Sequence, residues 1–164
     1  MNKKNYIKIG ILLVLGLSVF GGCSARREGT YTREELDNLA EIRIYSAEND
    51  ELIKTISDEE QLYQYNQCSP RDASYMEERQ DEWKKAIKDA KAQYSFVSYK
   101  YPVARFGKKE PEENTTITLY EDKNIIKMKA SGESLKAISL PENFLVFYYE
   151  LSDEEMNFYH SLLE

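Results

Sequence analysis

From residue 41 the chain alternates between apolar and polar positions. In EIRIYSA, Ile42 and Ile44 stand against Arg43 and Tyr45, and after the turn-prone Glu48, Asn49 and Asp50 the segment ELIKTI repeats the two-residue period. Two such runs around a short polar turn predict a β-hairpin. A second alternating region begins at Ser95, where Val97, Tyr99, Tyr101 and Val103 share a face. Pro102 argues for an edge position or a bulge there, because proline has no N–H for the ladder. After the loop GKKEPEEN come four short apolar pairs or triplets: Ile117 and Leu119; Ile126 and Met128; Ile138 and Leu140; Leu145, Phe147 and Tyr149. EDKN, SGES and PEN separate them, which predicts an antiparallel meander.

Between and around these strands the period changes. Thr32 with Glu35 has capping-box spacing and predicts a short helix over TREELDNLAE; Ser57 with Glu60 predicts another, running to about Cys68 with Leu62 and Tyr65 inward. Ser69 and Pro70 interrupt it, and Ser74 with Glu77 opens a further helix on which Trp83, Ile87, Ala90 and Tyr94 recur at helical spacing as one apolar stripe. At the C-terminal end, Ser152 with Glu155 forms one more box, Leu151 is placed to staple against Met156, and Met156, Tyr159 and Leu163 form the inner stripe. Together these elements predict an α+β fold: a mainly antiparallel sheet of about five to seven strands with helices packed on one face. Residues 36–164 are expected to make a single domain.

The N-terminal residues follow neither pattern. Lys3, Lys4 and Lys8 precede an uninterrupted apolar or small run from Ile9 to Phe20, with no acidic residue among the first 22. As a helix that run spans about 18 Å, well short of the roughly 30 Å hydrocarbon core of a bilayer. A signal peptide fits better than a transmembrane anchor. The run ends in FGGCS, residues 20–24, and Phe20, Gly21, Gly22 and Cys23 resemble the lipobox of bacterial lipoproteins, in which small residues precede a lipid-modified cysteine. The resemblance covers residues 1 to about 24. It implies cleavage before Cys23, a diacylglyceryl group on Cys23, and a mature protein tethered to the extracytoplasmic face of the cell membrane. Residues 1–22 are then the leader and residues 23–35 the lipidated cysteine and its polar tether. Two acyl chains suffice for stable attachment, at about 0.8 kcal/mol per buried CH₂. The competing reading is an ordinary secretory leader with Cys23 incidental.

Removing the leader changes the charge balance. Three of the 22 basic residues lie in it and none of the 29 acidic ones, so the mature chain carries about −10. Such a surface excludes nucleic acid as a partner, and anionic headgroups away from the anchor. With Cys23 lipidated, Cys68 is the one thiol left, so no internal disulfide forms and stability must come from packing.

Chemistry-bearing residues are sparse. His160 is the sole histidine, so Cys68 and His160 make the one conventional nucleophile–base pair the chain offers. Nothing supplies an orienting third group or an oxyanion-hole loop, and the structural reading of both residues is preferred. Asp58-Glu59-Glu60 and Asp153-Glu154-Glu155 fall in first helical turns, where negative charge complements the helix dipole. SAENDEL lacks the ligand pattern of a calcium loop and no glycine-rich phosphate loop is present, so no metal or cofactor is expected. Asn114-Thr115-Thr116 matches a glycosylation sequon but reads as the start of a strand.

Tyrosine is the unusual component: of thirteen, twelve remain once Tyr6 leaves with the leader. Tyr99, Tyr101, Tyr148 and Tyr149 are placed on strands, where aromatic residues pack and pair across the ladder. The alternative is a tyrosine-lined sheet face binding an envelope protein, a peptide or a glycan. The expectation is therefore a lipid-anchored envelope protein acting as a non-catalytic binding or accessory module. The alternative is an envelope hydrolase using Cys68 and His160 or a carboxylate pair.

Overall fold

The computed structural model describes residues 31–70, 77–102, 110–131 and 145–164, all within the unit Tyr31–Glu164. The leader and Cys23 lie outside the described residues, as do Ser74, Val103 and the strand expected at Ile138 and Leu140.

The alternating segments form strands β1 (Leu39–Ser46), β2 (Leu52–Ile56), β3 (Ala92–Lys100), β4 (Glu112–Tyr120), β5 (Ile125–Ala130) and β6 (Val146–Glu150). They make one antiparallel sheet in the order β2-β1-β3-β4-β5-β6. Its hairpin turns use acidic residues in the left-handed region, Asp50 at φ 55° and Asp122 at φ 53°, which their short polar side chains tolerate. Between β2 and β3 the chain forms α1 (Glu59–Cys68), a 3₁₀ turn (Glu77–Arg79) and α2 (Gln80–Ala86), and it closes with α3 (Asp153–Ser161).

The α+β architecture follows the sequence pattern, and the register shows why the core is continuous. Ile44, Phe96, Ile117, Met128 and Phe147 stand opposite one another across β1, β3, β4, β5 and β6. α1 covers this row with Leu62 and Tyr65, and α3 with Tyr159 and the capping Leu162 just past its end. Tyr159 is fully buried, its ring edge-on to Phe96 at 5.4 Å and to Tyr65 at 5.9 Å. Geometry of this kind adds to the area that the rings bury.

The third helix departs from the one-faced arrangement. Trp83 and Ile87 pack with Ile125, Tyr120 and Tyr148, each the sequence neighbour of a main-core residue, Ile126, Leu119 or Tyr149. Successive strand residues point to opposite faces, so α2 lies on the second face, over the β5–β6 end. The Gln80 amide holds it there: Nε2 donates to the Tyr148 carbonyl at 2.8 Å and Oε1 accepts from the Tyr148 N–H at 2.9 Å. It occupies both backbone groups as a neighbouring strand would.

Several local expectations shift. The Thr32–Glu35 capping box forms, but the segment makes only a turn, because Asp37 and Asn38 enter the left-handed region at φ 51° and 59° and β1 begins at Leu39. Asp58, not Ser57, caps α1, accepting from the Gln61 N–H at 3.0 Å. α2 ends at Ala86, so Tyr94 belongs to β3 rather than to its stripe. β3 stops at Lys100, which leaves Tyr101 and Pro102 beyond a central strand instead of at an edge. The Ser152–Glu155 box opens α3 as expected, with Leu151 and Met156 packed in one cluster.

Candidate functional site

The nucleophile–base pair is not assembled. Cys68 ends α1 half-buried, and His160 sits exposed in the last turn of α3. No hydrogen bond joins them. Burial, then the charge of Glu155, pushes the Cys68 thiol up from its ordinary value, away from the thiolate that nucleophilic chemistry requires. Four of the six residues in the acidic triplets have structural partners. Asp58 and Glu155 cap their helices, while Glu59 accepts from the Tyr31 N–H at 3.1 Å and Glu60 from the Tyr31 hydroxyl at 2.5 Å. Among the described residues no group of three potential metal ligands converges, and none of the helices is long and apolar enough to cross a membrane. Asn114 lies on β4 with its Nδ2 on the Thr115 hydroxyl at 2.9 Å.

The tyrosines divide by strand parity. Tyr149 is in the main core, whereas Tyr99 and Tyr148 lie half-exposed on the second face, and Tyr101 lies past the end of β3 with Arg33 over its ring at 4.5 Å. On that second face the register aligns Tyr45, Ser95, Thr118, Lys127 and Tyr148 across five strands. The adjacent row reads Arg43, Val97, Thr116, Lys129 and Val146. Thr116, Thr118, Lys127 and Lys129 line a shallow groove of about 340 Å³ together with Glu113. Tyrosines flank it, Tyr45 and Tyr99 to one side and Tyr148 to the other. Among the described helices only α2 covers this face, and it packs at the end where Tyr120 of β4, Ile125 of β5 and Tyr148 of β6 meet.

The β1–β3 side is held rigidly. The Arg43 guanidinium lies over the Tyr99 ring at 4.3 Å and pairs with Glu41 at 2.5 Å, which fixes the plane of the ring. Burial, then the neighbouring Tyr45, pushes the Tyr99 phenol up from its ordinary value, and burial does the same for Tyr148. Both stay neutral at physiological pH, and the Tyr99 hydroxyl is engaged with Tyr45. Lys127 and Lys129 form no ion pair among the described residues. Among the described residues the surface combines flat apolar rings, hydroxyls and two ammonium groups, without a deep cleft or an acid–base pair. It suits an extended chain laid across the strands. Tyrosine number was legible in the sequence, but the sharing of a face was not, since it depends on register across four ladders. No protein-family model, no curated protein and no solved structure matches the chain.

Proposed function

We propose that this chain is a lipid-anchored protein of the bacterial cell envelope, tethered through Cys23 to the extracytoplasmic face of the membrane, and that its domain is a non-catalytic binding module. The observation that supports the binding role is the second sheet face, where a threonine- and lysine-lined groove lies among Tyr45, Tyr99 and Tyr148. Aromatic residues with polar tips contribute large contact area at low entropic cost. The partner is an extended envelope component, a peptide or a glycan strand, recognised by ring stacking and by hydroxyl and amine hydrogen bonds.

The anchor rests on the leader's residues: a basic start, an apolar run too short to span, and two glycines before Cys23. Between Cys23 and Tyr31 the chain reaches at most about 28 Å when extended, so a lipid on Cys23 keeps the domain close to the bilayer. Labelling producing cells with a radioactive fatty acid tests the anchor: label must appear on the wild type and vanish in Cys23→Ala, and equal labelling of both would refute it. The binding role is tested by comparing envelope material retained by detergent-solubilised wild type with that retained by Tyr45→Ala/Tyr99→Ala. A component lost from the double variant while its unfolding transition is unchanged supports the face. Identical retention by both rules it out.

A further inference from the structure

A second concavity lies on the helix-covered side of the sheet. It is a cavity of about 410 Å³ between the C-terminal end of α1 and strands β3, β4 and β5, within the range of small-molecule sites. The ladder explains its place. Beside the apolar row through Phe96, the next row reads Ile42, Ser98, Thr115 and Ala130. The core surface there turns small and polar, and α1 has ended before covering it.

The hydrogen-bonding groups of the wall are already oriented. Ser98, only 3% exposed, donates its hydroxyl to the Thr115 carbonyl at 3.1 Å and so presents lone pairs to the cavity. The Thr115 hydroxyl accepts from Asn114 Nδ2 at 2.9 Å, which leaves it a proton to donate and leaves Asn114 a carbonyl oxygen to accept with. Asn66, 8% exposed, is tied by Nδ2 to the Glu35 carbonyl at 3.3 Å. At the rim Asp37 and Lys100 pair at 2.5 Å, so the lining carries no net charge. Leu39, Ile117 and Met128 supply an apolar floor.

This donor and acceptor set selects by chemistry. An anion meets Asp37 and two acceptor oxygens, a cation meets Lys100, and an apolar ligand would strip water from the Ser98 hydroxyl without replacing it. Hydroxyl groups both donate and accept, and a sugar ring adds an apolar C–H face for the floor. We propose that the cavity binds one residue of a neutral saccharide. The proposal is independent of the tyrosine face, which lies on the other side of the sheet, and of the anchor.

The test uses the full chain in detergent, with N-acetylglucosamine and glucose as probes and glycine and inorganic phosphate as the zwitterionic and anionic comparisons, read by saturation-transfer NMR and calorimetry. At least one sugar should bind and neither comparison ligand should. Thr115→Val, which keeps shape and removes the hydroxyl, and Asn114→Ala at a half-exposed position should each weaken binding about tenfold, the worth of one hydrogen bond. Tyr99→Ala should leave binding unchanged. Asn114→Ala carries the test if Thr115→Val does not fold. Failure of both sugars to bind, tighter binding of glycine or phosphate, or equal sugar affinity in the folded variants would overturn the proposal.

Discussion

Tyr159 separates what a ring contributes from what its hydroxyl contributes. The side chain is fully buried between Phe96, Tyr65 and Phe158, and its hydroxyl has no hydrogen-bond partner among the described residues. Ser69 lies close enough to draw the phenol slightly down, but burial outweighs it and holds the phenol well above its ordinary value. The Ser69 hydroxyl proton is committed to the Tyr65 carbonyl at 2.9 Å. A buried donor without a partner costs about 1–3 kcal/mol in lost hydration. Tyr159→Phe removes that cost and leaves a void of one oxygen, so stability should be unchanged or rise by up to about 1 kcal/mol. Tyr159→Ala removes the ring as well and should cost about 3–5 kcal/mol. Urea unfolding followed by circular dichroism measures both. A loss of about 1 kcal/mol or more in Tyr159→Phe, the ordinary worth of a satisfied hydrogen bond, would show that the hydroxyl is bonded and sink the reasoning.

Gln80→Ala should cost about 1–3 kcal/mol, because it leaves the Tyr148 N–H and C=O without the amide that now bonds both. The opened edge of β6 should also make the variant associate at high concentration, visible by light scattering where the wild type stays unchanged. The Tyr31 phenol is pushed up to about 12 from an ordinary 10.0, first by its hydrogen bond to Glu60. The folded state therefore holds this proton more tightly than the unfolded chain, so the contribution is complete below about pH 10 and is lost as pH rises through about 12. Unfolding titrations of wild type and Tyr31→Phe should diverge least above that range, and a constant difference across it would contradict the assignment.

The meander was readable because its turns and its period agree. Asp50 and Asp122 stand where left-handed residues are needed, and Ile42, Ile44, Ile117 and Ile126 each keep the parity of a single buried face. The C-terminal helix was readable for a similar reason, since Ser152, Glu155, Leu151 and Met156 specify one start in two independent ways. Thr32 and Glu35 specify theirs in only one. Their box closes a single turn, which Asp37 and Asn38 then end. The Trp83 stripe was read correctly as buried but extended too far, because Tyr94 satisfies a helical spacing and a strand parity equally well. Nothing in the spacing of Trp83 and Ile87 indicated which face of the sheet they would meet. That was decided by Gln80 engaging the outer edge of β6, a contact across 68 residues.

The same parity that builds the core also distributes the candidate sites. β3 and β4 place Ser98 and Thr115 toward the cavity and Val97, Tyr99 and Thr116 toward the tyrosine face, so neither surface is built at the expense of the other. Tyr31 is stacked on Tyr63 at 4.5 Å and bonded to Glu59 and Glu60 at the start of α1. These contacts hold Tyr31 on the helix-covered side of the sheet. The tyrosine face lies on the opposite side of the sheet from Tyr31, where Lys127 and Lys129 give it two ammonium groups on a chain whose formal net charge is −7. The one nucleophile–base pair the chain offers is not brought together, since Cys68 is half-buried with a raised pKa and His160 stands exposed without it.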